Sequence, residues 1–315
     1  MSLRTSTIKK LIAIQTSGWS EGSIEEQRAR QEKTARLARI PAAVHFQPVD
    51  AGGVPAEWAE APDAGEGVIL YLHGGAYVLG SINTHCELVT RLAETTHTRV
   101  LAIDYRLAPE YPYPAALEDA TAAYLWLLNL ADMEADDDQS AVGGVEPSRI
   151  IVAGDSAGGG LALATLVALR DAGQPLPAGA VCFSPWTDLA LTGASVRSKA
   201  GVDPILAAER LAMYAGYYAG GHDLTSPLIS PLYADLRGLP PLLIQAGSDE
   251  ILLDDAARLA GKAGEAGVDV TLETWDEMFH VFQVLWFLPE TKEAMGQVAE
   301  FVSQRLTSAA AVRAA

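Results

Sequence analysis

A serine in a glycine-rich turn is the side chain of this sequence best placed to act as a nucleophile. The apolar run 151–153 ends in Gly154-Asp155-Ser156-Ala157-Gly158, and an apolar helix is expected over residues 161–169. A G-x-S-x-G sequence between a strand and a helix holds the serine on a strained turn, and its glycines let the two elements pass closely. The helix N-terminus directs free N–H groups to the place where negative charge develops in acyl transfer. The pattern therefore predicts that Ser156 attacks a carbonyl carbon.

A histidine downstream of this serine can supply the base that the chemistry requires. A serine hydroxyl is a poor nucleophile at neutral pH unless a base takes its proton. His280 comes soon after the last expected strand, residues 269–274. His45 lies on an exposed-looking strand, and three further histidines lie outside the loops that follow strands: His85, His97 and His222. His280 is therefore the expected base.

A carboxylate must orient the base, and several follow the expected strand at 241–246. Asp249 is the first of them. Glu250 is adjacent, but the alternation of side chains should direct it elsewhere. Asp254 and Asp255 would begin a helix well, so we expect them to act as caps. The sequence favours Asp249 as the acid.

A glycine-rich loop after the expected strand 68–72 can stabilise an oxyanion. It reads His73-Gly74-Gly75, and residues without a Cβ let the backbone approach a substrate closely. A further N–H donor should come from Ala157, the residue after the nucleophile. Losing one such donor typically costs about 3 kcal/mol of transition-state stabilisation. We expect His73 to brace this loop through hydrogen bonds rather than to transfer protons.

The positions of these residues follow from an alternation of strands and helices. Continuous apolar strands separated by helices predict an α/β fold with a mostly parallel sheet covered on both faces. Residues 43–49 and 54–60 are expected to form an antiparallel hairpin. Residues 4–40 are expected to be helical, with a capping-box start at Ser23. Residues 186–235 interrupt the alternation, and Asp203-Pro204 is expected to open a helix there.

Composition excludes several kinds of partner. The chain has 315 residues, 49% of them hydrophobic, and a net charge of −18, which argues against binding to nucleic-acid phosphates or anionic membranes.

Cys86 and Cys182 lack redox or metal-site spacing and are expected to be buried thiols of a reduced compartment. With no signal-like or membrane-spanning stretch, we expect a cytoplasmic protein. The acidic stretch 131–145 lacks the glycine turn and final Glu of a calcium loop and is expected to be solvated.

Several stretches together resemble the hormone-sensitive-lipase-like family of bacterial carboxylesterases, which have the α/β-hydrolase fold. The resemblance rests on residues 73–81, 104–110, 154–159 and 184–186 and on the late Asp249 and His280. The order Ser, Asp, His is the one that α/β-hydrolases use. The resemblance implies an eight-stranded core in a single domain, 1–315, with a cap formed by about 1–40 and 186–235. It also implies that Asp155 is scaffold that braces the serine turn.

Two positions depart from the family's usual motifs. Ala76 stands where the family usually has a further glycine, and we expect it to be tolerated because the resemblance assigns the donors to Gly74 and Gly75. Near the acid the family often has Asp-Pro-Leu, whereas this chain has Asp249-Glu250-Ile251.

The resemblance implies a serine carboxylesterase that hydrolyses short- to medium-chain acyl esters through an acyl-enzyme. Ser156, His280 and Asp249 would form the triad, with oxyanion donors at Gly74, Gly75 and Ala157. Neither a metal nor an organic cofactor is expected; the expected partner is a small-molecule ester, and homodimers are common among such relatives. Apolar side chains that could line the substrate pocket are Tyr77, Leu79, Trp186, Leu206, Met213, Tyr214, Tyr217, Val281 and Phe282. The alternatives are a lactone or amide hydrolase with the same triad, and a non-catalytic ligand-binding member of the fold.

Overall fold

One mostly parallel sheet forms the centre of the molecule. The structure is a computed structural model that describes residues 3–16, 21–36, 40, 43–129 and 144–313. In these ranges eight strands are arranged in the order β1-β2-β4-β3-β5-β6-β7-β8, and β2 is antiparallel to both β1 and β4. The strands are β1 (His45–Asp50), β2 (Pro55–Glu60), β3 (Val68–Leu72), β4 (Arg99–Ile103), β5 (Ile150–Asp155), β6 (Gly179–Phe183), β7 (Leu242–Gly247) and β8 (Val270–Trp275). The expected α/β fold and the expected hairpin are confirmed.

Helices cover both faces of this sheet. Leu70 and Leu72 of β3 belong to one apolar cluster, whereas the alternate residues Ile69 and Tyr71 belong to a second on the opposite face. The first cluster includes residues of α4, α5 and α8, and the second includes residues of α3 and α9. The helices are α1 (Leu3–Thr16), α2 (Ile24–Ala35), α3 (Ile82–Thr96), α4 (Ala115–Leu128), α5 (Ala157–Asp171), α6 (Ser195–Ser198), α7 (Ala208–Ala219), α8 (Leu253–Glu265) and α9 (Pro289–Arg313).

The two segments expected to form the cap contact each other. The Tyr214 hydroxyl of α7 donates a hydrogen bond of 2.6 Å to Gln27 Oε1 of α2. Arg28, the next residue of α2, donates to the carbonyl oxygens of Val78 and Ala108 at 2.8 Å each. The capping box at Ser23 is confirmed. Helix α2 is thus fixed both to the insertion and to the loop after β3.

Three aspartates expected at helix starts have other partners. The helix after Asp203 begins only at Ala208, so that expectation is wrong. The Asp203 carboxylate instead accepts backbone N–H groups from the turn that follows it and, at 2.9 Å, from Ile251. Asp254 and Asp255 stand in the first turn of α8 without capping it. They accept backbone N–H groups from the insertion, at residues 187, 188 and 195.

Other expectations fall partly beyond the described ranges. Most of the acidic stretch 131–145 lies outside the described residues. Cys182 is buried and Cys86 half-buried. No helix in the described ranges combines the length and the apolar character needed to cross a bilayer. Among the residues that the structure describes, no group of three or more His, Cys, Asp or Glu side chains is arranged to hold a metal ion.

Candidate active site

Ser156 stands on a strained turn between β5 and α5. Its backbone has φ +53° and ψ −119°, a conformation that a non-glycine residue rarely adopts. A Cβ on Gly158 would come within 1.9 Å of the Leu72 carbonyl oxygen, so only glycine allows this approach of helix and strand. The Ser156 N–H donates to the Phe183 carbonyl at 2.8 Å, and its own carbonyl accepts from Trp186 N–H at 2.9 Å. These two bonds hold the turn against the end of β6.

His280 is oriented by Glu250 rather than by Asp249. His280 Nδ1 lies 2.7 Å from Glu250 Oε2, and both side chains are buried. Asp249 instead pairs with Lys9 of α1 and, at 3.4 Å, with Lys199. The prediction of Asp249 as the acid is therefore wrong.

A turn at the end of β7 explains this difference. Alternation of side chains holds only along an extended strand, and β7 ends at Gly247. In the acid loop, residues 248–252, the chain turns back so that Glu250 Oε1 accepts the Gly247 N–H at 2.7 Å. Asp249 is left facing the cap.

The surroundings of His280 favour its charged form. Burial disfavours the imidazolium, but the hydrogen bond and charge of Glu250, together with the charges of Asp203 and Asp155, outweigh it and raise the pKa of His280. His280 is connected to the serine turn through Ser184, which follows β6. The Val281 N–H donates to Ser184 Oγ at 3.0 Å, and Phe183 carries the carbonyl that holds Ser156. The segment that carries His280 and the turn that carries Ser156 are thus both attached to the end of β6.

The loop after β3 presents a different set of donors from the predicted one. The Gly74 N–H already donates to Asp155 Oδ1 at 2.9 Å, so its assignment as an oxyanion donor is corrected. In the part of the chain that the structure describes, the N–H groups of Gly75, Ala76 and Ala157 donate no hydrogen bond. Ala76 adopts φ +55°. Its N–H, unlike that of Gly74, has no partner among the described residues.

Asp155 anchors this loop, as expected of a scaffold residue. Its Oδ1 accepts the Tyr71 hydroxyl at 2.6 Å as well as the Gly74 N–H. His85 Nε2 lies 3.4 Å from Oδ2. Burial lowers the pKa of His85, but Asp155 outweighs it, and the net shift is upward. Sequence reasoning missed His85 because it lies in the first turns of α3 rather than after a strand.

His73 braces the loop and is held neutral. Its Nδ1 lies 2.8 Å from the Gly74 carbonyl oxygen, and its ring stacks on Tyr105 at a centroid distance of 4.2 Å. Burial, with the nearby His85, lowers the pKa of His73 to about 3. A base this weak takes no part in proton transfer near neutral pH, which agrees with the predicted bracing role.

The side chains expected to line a pocket do not form one group. Tyr77 and Trp186 are buried near the serine turn with ring centroids 6.2 Å apart, and Tyr77 stacks on Tyr218 at 3.7 Å. Leu79 and Tyr214 are buried in the same apolar cluster, against which Leu206 packs. Val281 and Phe282 pack in two other clusters. Met213 and Tyr217 are 41% and 38% exposed, so they face solvent. Tyr218, which the prediction omitted, belongs with Tyr77.

Comparisons with known proteins show the family to which the chain belongs. A family model described as the alpha/beta hydrolase fold matches residues 69–284. An acetyl-hydrolase from Streptomyces hygroscopicus is 46% identical over 257 residues, 81% of either chain, and an esterase from Acinetobacter venetianus is 39% identical over 86% of either chain.

Solved structures give the same result. The crystal structure of an esterase from the bacterial hormone-sensitive lipase family has a TM-score of 0.89 and 44% identity, covering 97% of this chain and 99% of its own. The esterase EstE5, in crystals soaked with p-nitrophenyl butyrate, has a TM-score of 0.89 and 40% identity, covering 98% of this chain and 100% of its own. The chain therefore belongs to the alpha/beta hydrolase fold family, among the carboxylic-ester hydrolases of the bacterial hormone-sensitive lipase family.

Proposed function

We propose that the chain hydrolyses esters through an acyl-enzyme on Ser156, with His280 as base and Glu250 as the acid that orients it. The observation that carries this proposal is the buried contact of 2.7 Å between His280 Nδ1 and Glu250. It is connected through residues 183 and 184 to a serine held on a strained turn. With Nδ1–H donated to Glu250, Nε2 is free to accept a proton.

Acylation transfers one proton and exchanges one C–O bond for another. His280 Nε2 takes the Ser156 hydroxyl proton while Oγ bonds to the ester carbonyl carbon. The tetrahedral oxyanion then collapses, the bond to the alcohol oxygen breaks, and His280 returns the proton to that oxygen. In deacylation, a water molecule gives a proton to His280, and the water oxygen attacks the acyl carbon. The Ser156 oxygen leaves with that proton, and the carboxylic acid is released.

Backbone groups stabilise the oxyanion in this proposal. The N–H groups of Gly75, Ala76 and Ala157 are among the donors around the serine turn that have no partner in the described residues. Ala157 also begins α5, so the partial positive charge of that helix N-terminus adds to its effect.

Short to medium acyl chains fit the surroundings of Ser156. The stacked rings of Tyr77 and Tyr218 lie beside the indole of Trp186, whose backbone N–H donates to the Ser156 carbonyl at 2.9 Å. The related proteins named above include an acetyl-hydrolase and an esterase soaked with a butyrate ester. Large, buried rings leave little room for a long chain, so we expect activity to decline beyond about ten acyl carbons.

One experiment separates this proposal from its alternatives. Purified protein is assayed on p-nitrophenyl esters of increasing chain length, on lactones and on amides, with Ser156→Ala as control. We expect ester hydrolysis that Ser156→Ala abolishes, and labelling of the wild type by a fluorophosphonate at one group per chain. Faster turnover of lactones or amides than of esters would assign the site to that reaction. Absence of both turnover and labelling would indicate a ligand-binding protein.

A further inference from the structure

We propose that Ser184 is a positioning residue for His280, acting through Glu250. This inference rests on the triad proposed above. The Ser184 hydroxyl is fully buried and makes two hydrogen bonds to groups adjoining the base. It donates to Glu250 Oε1 at 3.1 Å and accepts the Val281 N–H at 3.0 Å. One hydroxyl therefore connects the carboxylate that orients His280 with the backbone next to His280.

The two carboxylate oxygens of Glu250 have different partners. Oε1 accepts both the Gly247 N–H, at 2.7 Å, and the Ser184 hydroxyl, whereas Oε2 contacts His280 Nδ1. With Oε1 held by one donor at the end of β7 and another just after β6, the carboxylate cannot rotate without breaking a buried hydrogen bond. Ser184 thus fixes the direction in which Oε2 faces the imidazole.

The backbone of Ser184 is shaped for this position. It has φ +45°, in the left-handed region, and its N–H donates to the Gln245 carbonyl of β7 at 2.7 Å. A conformation unfavourable for a non-glycine residue is kept where the side chain has a specific task. Threonine would be strained at this φ because of its branched Cβ, so alanine and glycine are the informative replacements.

A second serine provides a matched control. Ser248 lies in the acid loop, and its hydroxyl accepts the Glu277 N–H at 2.8 Å. Like Ser184, it connects the segment after β7 with the segment after β8, but its hydroxyl does not bond to Glu250 among the described contacts. A general loss of contact between these segments would affect both serines equally, whereas loss of Glu250 orientation would affect only Ser184.

Kinetics of Ser184→Ala, Ser184→Gly and Ser248→Ala test the proposal. We expect both Ser184 variants to lower kcat about 10- to 100-fold with KM nearly unchanged, since a buried hydrogen bond to a charged group is lost. Ser248→Ala should stay close to wild type. Because glycine fits φ +45° without strain, recovery of activity in Ser184→Gly would overturn the proposal. Equal losses in Ser184→Ala and Ser248→Ala would also overturn it.

The pH profile provides a readout that mere loosening of the loops would not change. The charges that act on His280 are those of Glu250, Asp203 and Asp155. If Ser184 holds Glu250 against Nδ1, its loss weakens the interaction that favours the imidazolium, and the acid limb of kcat/KM moves to lower pH. An unchanged limb in Ser184→Ala contradicts the proposal. Ser156→Ala is measured in parallel, because turnover retained there would refute the triad itself rather than the role of Ser184.

Discussion

Glu250 and Asp249 are adjacent carboxylates with opposite surroundings, which makes their roles separable by experiment. Glu250→Gln keeps the size of the side chain but offers an amide that cannot stabilise the imidazolium. We expect kcat/KM to fall roughly 10³- to 10⁴-fold. Asp249→Asn leaves the contact between His280 and Glu250 in place and should cost less than about tenfold. Steady-state kinetics of the two variants decide the matter, and a larger loss in Asp249→Asn would restore Asp249 as the acid.

In the proposed mechanism, the raised pKa of His280 determines the lower end of the pH range of activity. The base works only when neutral, so kcat/KM falls as the pH drops through the His280 pKa. Because that pKa is raised, the acid limb should lie above the ordinary histidine value of about 6.5. The charge of Asp203 contributes to the upward shift, so Asp203→Asn should move the limb to lower pH. Asp276→Asn, an exposed change in the loop after β8, is the control. If the acid limb of kcat/KM lay at the same pH in Asp203→Asn and in wild type, the contribution of Asp203 to the pKa of His280 would be contradicted.

The nucleophile and the base of the proposed mechanism could be chosen from the sequence, whereas the carboxylate that contacts His280 could not. Ser156 is marked by its glycines, and His280 by its position after a strand. Glu250 and Asp249 follow the same strand one residue apart, and only the dihedral angles of the turn decide which one faces inward. The contact of His85 with Asp155 could not be predicted for the same reason, because it depends on the approach of α3 to Asp155 rather than on any local pattern.

At the scale of elements, α1 is attached to the acid loop by a charged contact. Lys9 is only 7% exposed and pairs with Asp249, next to Glu250. Lys199 reaches the other Asp249 oxygen at 3.4 Å and is more exposed. Asp203 binds the same loop at Ile251. Both segments expected to form the cap are thus attached to the loop that holds the acid.

Lys9→Met tests whether this contact holds α1 in place. A buried pair is broken, Asp249 keeps only Lys199, and we expect α1 to detach more readily at a cost of about 2 kcal/mol. Limited proteolysis should then cut the N-terminal segment faster than in wild type, and KM should rise more than kcat falls. Lys199→Met is the control, with a smaller effect because the exposed charge is screened by water and salt. Equal proteolysis rates in wild type and Lys9→Met would contradict the role of Lys9.

The sheet could be predicted from the sequence much more completely than the cap. Strands buried on both faces are continuous apolar runs, as in β3 and β5, and such runs are visible without a structure. The cap is held by contacts between polar residues far apart in the chain, such as Gln27 with Tyr214 and Lys9 with Asp249. Such pairs produce no periodic pattern in the sequence from which they could be predicted. The start of α7 was misplaced for a related reason, because Asp203 binds Ile251 and its own turn instead of capping a helix.

At the scale of the whole molecule, a buried carboxylate joins helix α8 to the start of the insertion 186–235. Asp255 Oδ2 accepts the backbone N–H groups of Thr187 and Asp188 at 2.8 Å each. Its Oδ1 is buried and, in the described part of the chain, has no hydrogen-bond partner. Burial raises the pKa of Asp255 to about 7, and the charge of Asp188 adds to it, against the opposing effects of the two N–H groups and Arg258.

This raised pKa predicts that the contribution of Asp255 to the stability of the protein falls as the pH rises from about 4 to about 7. In that window the folded protein holds a proton on Asp255 that the unfolded chain has lost, so folding becomes less favourable with increasing pH. Asp255→Asn removes the titration. Relative to wild type, the variant should therefore gain about 3 kcal/mol in free energy of unfolding between pH 5 and pH 8.5. This figure comes from the roughly two pH units between pH 5 and the folded-state pKa of about 7, each worth about 1.4 kcal/mol. Urea unfolding at the two pH values measures this difference.

Asp188→Asn separates this effect from a general loosening of the cap. Burial disfavours the Asp188 carboxylate, but hydrogen bonds from Thr192, Arg258 and Tyr233 outweigh it and lower its pKa. Asp188 is therefore charged at both pH values in the folded and the unfolded protein. Its replacement acts on the pH dependence only through the lesser contribution of its charge to the pKa of Asp255, so the cost should change much less between pH 5 and pH 8.5 than the cost of Asp255→Asn does. If Asp255→Asn showed a constant difference from wild type, Asp255 would be ionised throughout. Its unpartnered oxygen would then have to be hydrated by water entering between the insertion and α8.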